Sequence, residues 1–165
     1  MKRNRELLHV AVALTLTFTA FACAKKAKPD ADTNVAAAAS GPDTKGPRDS
    51  DSNNANGLET VHFPFNSANV ESSEKDVLKH DLTILKQNPD LHVQIEGHCD
   101  QRGGSQYNLA LGERRANSIR KYLTGMGVGG SRVTTISMGK EHPIDPAETE
   151  EAYAKNRRGN FVITQ

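Results

Sequence analysis

Tryptophan is absent from the 165-residue chain, aromatic residues of all kinds make up 5%, and apolar residues only 36%. A chain this poor in large apolar side chains does not bury its whole length in one core, so part of it lies outside any folded domain. An excess of charge of either sign is also missing: 21 basic side chains face 20 acidic ones, for a net charge of +1. Nothing in that balance singles out nucleic acid or a strongly charged partner. Cysteine is nearly absent. Cys23 and Cys99 stand in unlike surroundings, which argues against an intramolecular disulfide framework.

Long hydrophobic runs are missing too. The most apolar stretch, Val10 to Ala22, is 13 residues, whereas a membrane-spanning helix needs roughly 20. Lys2, Arg3 and Arg5 precede it and small residues close it. A basic head, a short apolar run and a small-residue end describe an export signal over residues 1–22. "AFAC", from Ala20 to Cys23, resembles the lipobox of bacterial lipoproteins, although Ala20 stands where leucine is usual and Phe21 is bulky for its place. That resemblance implies acylation of Cys23, which becomes the mature N-terminus. Each buried CH₂ contributes ~0.8 kcal/mol, so several acyl chains anchor stably. Ala24 and Lys25 follow, with no aspartate, which in the same resemblance implies the outer membrane, on its periplasmic face.

Residues 24–57 mix Ala, Asp, Asn, Ser, Gly and Pro without an aromatic residue or an apolar period. Such a segment does not offset its own ordering entropy. Together with Cys23 it reads as a tether over 23–57, with a typical reach of about 30 Å and a limit near 120 Å.

From residue 58 the pattern is that of a folded domain running to 165. "TVHFPF" is a short strand at a sheet edge, since Pro64 has no ladder donor. "SSEKDVLKHDLTILKQNP" is a helix: Ser73 and Asp76 form a capping pair, Leu78, Leu82 and Leu85 one apolar face, and Pro89 the end. "LHVQIE" alternates, with Leu91, Val93 and Ile95 on its buried side. A second helix spans about Asn108 to Thr124, with Ala116, Ile119 and Leu123 as its stripe. "RVTTISMG" and "GNFVIT" are further strands, and "EEAYAKN" a helical turn. The expected fold class is α+β: a two-layer βαβαββ domain with both helices on one face of a four-stranded mixed sheet.

Between the second strand and the second helix lies "GHCDQRGGSQYNLALGERRANSIRKYL", Gly97 to Leu123. It places a carboxylate, Asp100, and a guanidinium, Arg115, on either side of a glycine-rich loop. On residue type alone they either pair with each other or grip a ligand that carries both charges.

"VQIEGHCD", "YNLALGERRANSIRKYL", "GVGGSRVTTISMGKEHP" and "NRRGNFVIT" together resemble the OmpA-like peptidoglycan-binding domain family over about Val61 to Thr164. Within that family the closer likeness is to its peptidoglycan-associated lipoproteins (Pal), which the lipobox and tether also fit. The resemblance implies a protein that holds the outer membrane to the cell wall non-covalently, through the diaminopimelate residue of the peptidoglycan stem peptide. It further implies a Tol-Pal system involved in envelope integrity and cell division, with TolB as a partner and TolA as a second candidate. A wall anchor of the same fold with no Tol role is the alternative. Free diaminopimelate ends in an ammonium and a carboxylate. By resemblance Asp100 accepts from the first and Arg115 offers a planar fork to the second, each such bond contributing ~1.5–3 kcal/mol. Phe65 matches an aromatic lining residue, Leu111 an apolar wall, and Arg102 a loop arginine whose backbone lines the pocket. Asn66 stands where Pal commonly has aspartate, and Asn156, Arg157 and Arg158 read as a brace behind the site.

His98, Cys99 and Asp100 in succession invite metal or thiol chemistry, yet a zinc site wants three or four ligands at recognisable spacing. The expectation is no metal, no cofactor and no enzyme. No catalytic pair is evident beyond the binding residues, and Cys99 reads as a small packed thiol.

Overall fold

A computed structural model describes residues 48–165. Strand β1 (Val61–His62) leads to helix α1 (Ser72–Gln87), strand β2 (Val93–His98), helix α2 (Ser105–Gly125), strand β3 (Val133–Gly139), the short helix α3 (Glu150–Asn156) and strand β4 (Arg158–Ile163). The sheet order is β1-β4-β2-β3. β2 and β3 run parallel, and β4 runs antiparallel to both β1 and β2. The domain is therefore α+β with a mixed four-stranded sheet, as expected.

One hydrophobic core joins the layers. Leu78, Leu82 and Leu85 of α1 and Ala116, Ile119 and Leu123 of α2 meet Val61, Val93, Ile95, Val133 and Phe161 from one face of the sheet. The period of two in β2 puts Val93 and Ile95 into this core and leaves Gln94 and Glu96 on the other side. One close approach positions the site. A β-carbon on Gly97 would fall on the Gly112 carbonyl, and one on Gly112 would fall on Gly97 and Ser137. Glycine at both places lets the backbone of α2 rest on β2, which draws the first half of the helix down beside the loop that follows the strand.

Four expectations are corrected. The folded unit does not begin at residue 58. Asp49 bridges Val162, the Ile163 N–H donates to the Arg48 carbonyl at 2.8 Å, and Ala55 lies in the core. This segment pairs with the edge of β4 that the two-residue β1 leaves free, and backbone pairing leaves no mark in apolar periodicity. Ser73 and Asp76 do not cap α1. The helix starts at Ser72 with Glu71 at the N-cap and no side-chain cap, and Asp76 pairs with Lys79 at 2.7 Å instead. Helix α2 starts at Ser105, a turn earlier than its apolar stripe suggests, and "EEAYAKN" is a helix of 7 residues capped by Thr149. The export signal, Cys23 and residues 24–47 of the tether lie outside the described residues.

Candidate functional site

Gly97 on Gly112 brings three segments around one cavity of about 200 Å³: the β1–α1 loop, the β2–α2 loop and the inward face of α2. Its wall holds Phe65, Asn66, Asp100, Arg102, Leu111 and Arg115, so the six candidate residues, spread over 51 positions of sequence, converge. Cys99, Gly103, Tyr107 and Asn108 complete it.

The loop is pinned rather than loose. The Cys99 N–H donates to the Gly139 carbonyl at 2.7 Å, Asn108 Nδ2 to the Arg102 carbonyl at 2.8 Å, and Lys140 Nζ to the Gly103 carbonyl at 2.8 Å. Gly103 takes φ +86°, which lets the chain turn into Gly104, the N-cap of α2.

Asp100 and Arg115 do not pair with each other. Asp100, 4% exposed, is held by Arg102, whose Nη2 lies 2.8 Å from Oδ2 while its Nε and backbone N–H reach Oδ1. Arg157 Nη1 stands 3.4 Å from the same Oδ2. Burial pushes the carboxyl's pKa up, but the hydrogen bonds and charge of Arg102, with help from Arg157, outweigh it and hold the group below its ordinary value. Arg115 is fully buried. Its Nε, Nη1 and Nη2 donate to the carbonyls of Ser67, His98 and Pro64 at 2.8, 2.7 and 3.0 Å, and the group lies 5.2 Å from the centre of the Phe63 ring. Among the described residues no carboxylate stands within ion-pair distance of it. Burial pulls its pKa down. The short loop and the Gly97–Gly112 contact sink both groups into the wall.

Phe65 is 60% exposed at the rim. Arg102 lies between it and Tyr153, with the guanidinium carbon 4.3 Å from the centre of each ring. Asn66, at φ +53°, accepts a hydrogen bond from the Tyr107 hydroxyl. Leu111 is the buried apolar wall. Cys99 donates from Sγ to the Asn108 carbonyl at 3.3 Å, and burial pushes its thiol pKa up, away from thiolate chemistry. His98 turns to the other side of β2, 3.3 Å from Glu96. Among the described residues no group of three or more His, Cys, Asp or Glu is placed to hold a metal.

The brace at the start of β4 is closer to the site than expected. Asn156 ties down Ile144 and Asp145, and Arg158 pairs with Asp51, but Arg157 reaches Asp100 itself. Tyr107 escaped notice in the sequence. A signal for it exists: Tyr107, Leu111 and Arg115 recur every four residues, which is one face of a helix that begins at Ser105.

Known proteins share this sequence pattern and fold. The OmpA family matches residues 62–157. The chain is 40% identical over 99 residues to the peptidoglycan-associated lipoprotein of Pasteurella multocida, covering 60% of this chain and 66% of that one. It is 37% identical to the protein of the same name from Buchnera aphidicola, covering 62% and 60%. Each match thus spans less than two-thirds of the relative's length. Among solved structures, the peptidoglycan-associated lipoprotein from Burkholderia pseudomallei is similar with a TM-score of 0.61 at 38% identity, over 63% of this chain and 88% of that one. The C-terminal domain of Helicobacter pylori MotB shares the fold, with a TM-score of 0.62 at 22% identity, over 66% and 86%.

Proposed function

The chain belongs to the OmpA family, and from that premise we propose that it binds peptidoglycan non-covalently through the diaminopimelate of the stem peptide. One observation carries this reading. Arg115 is a fully buried cation in a cavity wall, balanced by carbonyl dipoles and by no carboxylate among the described residues. Burying an ion without a counter-ion costs several kcal/mol, and an anionic ligand group offsets that cost. Asp100 lies in the same wall and supplies the anion for the ligand's ammonium. Three of Arg115's five N–H groups are committed to carbonyls and the guanidinium also meets the Cys99 thiol, so a carboxylate takes up the donor capacity that is left.

The chain acts as a binder and not as an enzyme. Cys99 is a buried thiol, and His98 faces away from the cavity. With Cys23 acylated, the domain ties the outer membrane to the wall from its periplasmic face. The resemblance to Pal extends this reading to a Tol-Pal system, with TolB and TolA as partners.

Competition tests this with the native protein. Bound to isolated peptidoglycan, the chain is displaced by soluble stem peptides carrying free diaminopimelate. It is displaced at least about tenfold less well by peptides carrying lysine, which lack the carboxylate. Equal displacement by both would show that Arg115 reads no carboxylate. Retention of TolB by the full chain separates a Tol-linked anchor from a wall anchor alone.

A further inference from the structure

Two residues of α3, Tyr153 and Glu150, lie outside the cavity wall yet grip the side chain that holds Asp100. Arg102 is a long, partly exposed side chain, and such a side chain keeps many rotamers unless something holds it. Four contacts do. Phe65 and Tyr153 stack on its two faces, each ring centre 4.3 Å away. Asp100 Oδ2 accepts from Nη2 at 2.8 Å, and Glu150 Oε2 accepts from Nη1 at 3.1 Å. Glu150 also accepts from Arg157 at 3.0 Å, the second arginine on Asp100. Phe65 and Asp100 belong to the cavity; Tyr153 and Glu150 belong to a helix that reaches the site through Arg102 and Arg157, and whose last residue, Asn156, also donates to Gln101 of the loop at 3.3 Å.

We propose that Tyr153 and Glu150 are positioning residues that set the ammonium-reading half of the cavity by fixing Arg102 against Asp100 and beneath Phe65. The inference rests on the stem-peptide reading above. Without the Tyr153 ring one face of Arg102 opens to water, its guanidinium regains rotamers, and both the orientation of Asp100 and the underside of Phe65 lose support. Arg115 is held by carbonyls of other segments, so the carboxylate half stays as it is.

The test uses the full-length chain and two soluble stem peptides. One carries diaminopimelate with its side-chain amine free, the other the same peptide with that amine acetylated, which keeps the carboxylate and removes the ammonium. Tyr153→Ala is expected to bind the free-amine peptide about fivefold more weakly than wild type does, the magnitude of a lost cation–π face. Its affinity for the acetylated peptide should stay within about twofold of wild type. Tyr153→Phe, which keeps the ring, restores the free-amine affinity, and Glu150→Gln weakens it in the same selective way. Equal losses on both peptides, or tighter binding of the free amine by Tyr153→Ala, would overturn the proposal; the second result would make Arg102 a competitor of the ammonium instead. If wild type binds neither peptide, the stem-peptide reading itself falls, and the inference with it.

Discussion

Two clusters of buried charge lie on opposite sides of β2, and they are closed in different ways. On the side away from the helices, Arg158 Nε pairs with Asp51 at 2.7 Å, Glu96 accepts from Asn160 at 3.1 Å and lies 3.3 Å from His98, and Asn160 accepts from Ser50 at 2.9 Å. Every charge there has a protein partner of opposite sign or a hydrogen bond; the exception among polar atoms is His98 Nδ1, buried without a partner. On the helix side, Asp100 is paired but Arg115 is left with carbonyls only, beside a cavity. A buried charge network completed by the protein holds the fold together, whereas one left open marks where a ligand completes it.

The largest expected effect sharpens that contrast. Arg158→Ala leaves Asp51 without its cation on a partly buried surface, and such a break costs about 3 kcal/mol of stability. Urea unfolding should show the loss, while peptidoglycan affinity of the folded protein stays at the wild-type value. Weakened wall binding at intact stability would mean that this cluster also serves the ligand, and the division drawn here would fail.

A third buried charge tests the rule without a cavity. Asp81 of α1 is fully buried, accepts one N–H from Glu59 at 2.9 Å, and has its other oxygen unpartnered. Burial raises its pKa from 3.8 to about 7, against the lowering effect of the Glu59 hydrogen bond. Between these values the folded state keeps a proton that the unfolded state has lost, so stability falls as pH rises from about 4 to about 7 and levels off above. Asp81→Asn removes that slope. It should leave stability nearly unchanged near pH 4 and raise it on the order of 2 kcal/mol at pH 8. Unfolding curves at both pH values check this, and an equal shift at each would show that the carboxyl does not titrate in that window.

Asp100→Ala follows in size. Binding to the wall should weaken about tenfold, which corresponds to about 1.4 kcal/mol. Because Asp100 is buried against Arg102 and Arg157, stability should fall as well, by about 1–2 kcal/mol. A drop in stability with unchanged wall binding would turn this cluster into a brace like the one across the sheet.

How much of this was legible beforehand follows from the kind of signal each part leaves. The alternation in 91–96 and the stripe of Ala116, Ile119 and Leu123 reported burial directly, because side-chain periodicity is what a sheet face and a helix face require. The convergence of Phe65, Asp100, Leu111 and Arg115 came from family resemblance and not from periodicity. No spacing rule brings the β1–α1 loop to α2; the Gly97–Gly112 contact does. Residues 48–57 were misread as tether because their hold on the domain is backbone pairing at β4, the polar contacts of Ser50 and Asp51 with Asn160 and Arg158, and a single apolar residue, Ala55, none of which leaves an apolar period. The Tyr153–Arg102–Phe65 stack was invisible for a similar reason: three residues 88 positions apart at the extremes share no period, and only the fold stacks them.

The smallest expected effect concerns Cys99, the buried thiol of the loop after β2. Its sulfur lines the cavity, so two roles are open to it: a reactive group that meets the ligand, or a packed small side chain. Burial raises its pKa, and Sγ already donates to the Asn108 carbonyl at 3.3 Å. A serine hydroxyl can make the same donation with a shorter reach. Cys99→Ser should therefore change stability by no more than about 1 kcal/mol, the scale of one neutral hydrogen bond, and leave wall binding within about twofold. In the wild-type protein, iodoacetamide at pH 7.5 should modify Cys99 far more slowly in the folded than in the urea-unfolded state, because little thiolate forms in the buried site. Rapid modification of the folded protein, or loss of binding in the serine variant, would give the thiol a function that its buried geometry argues against.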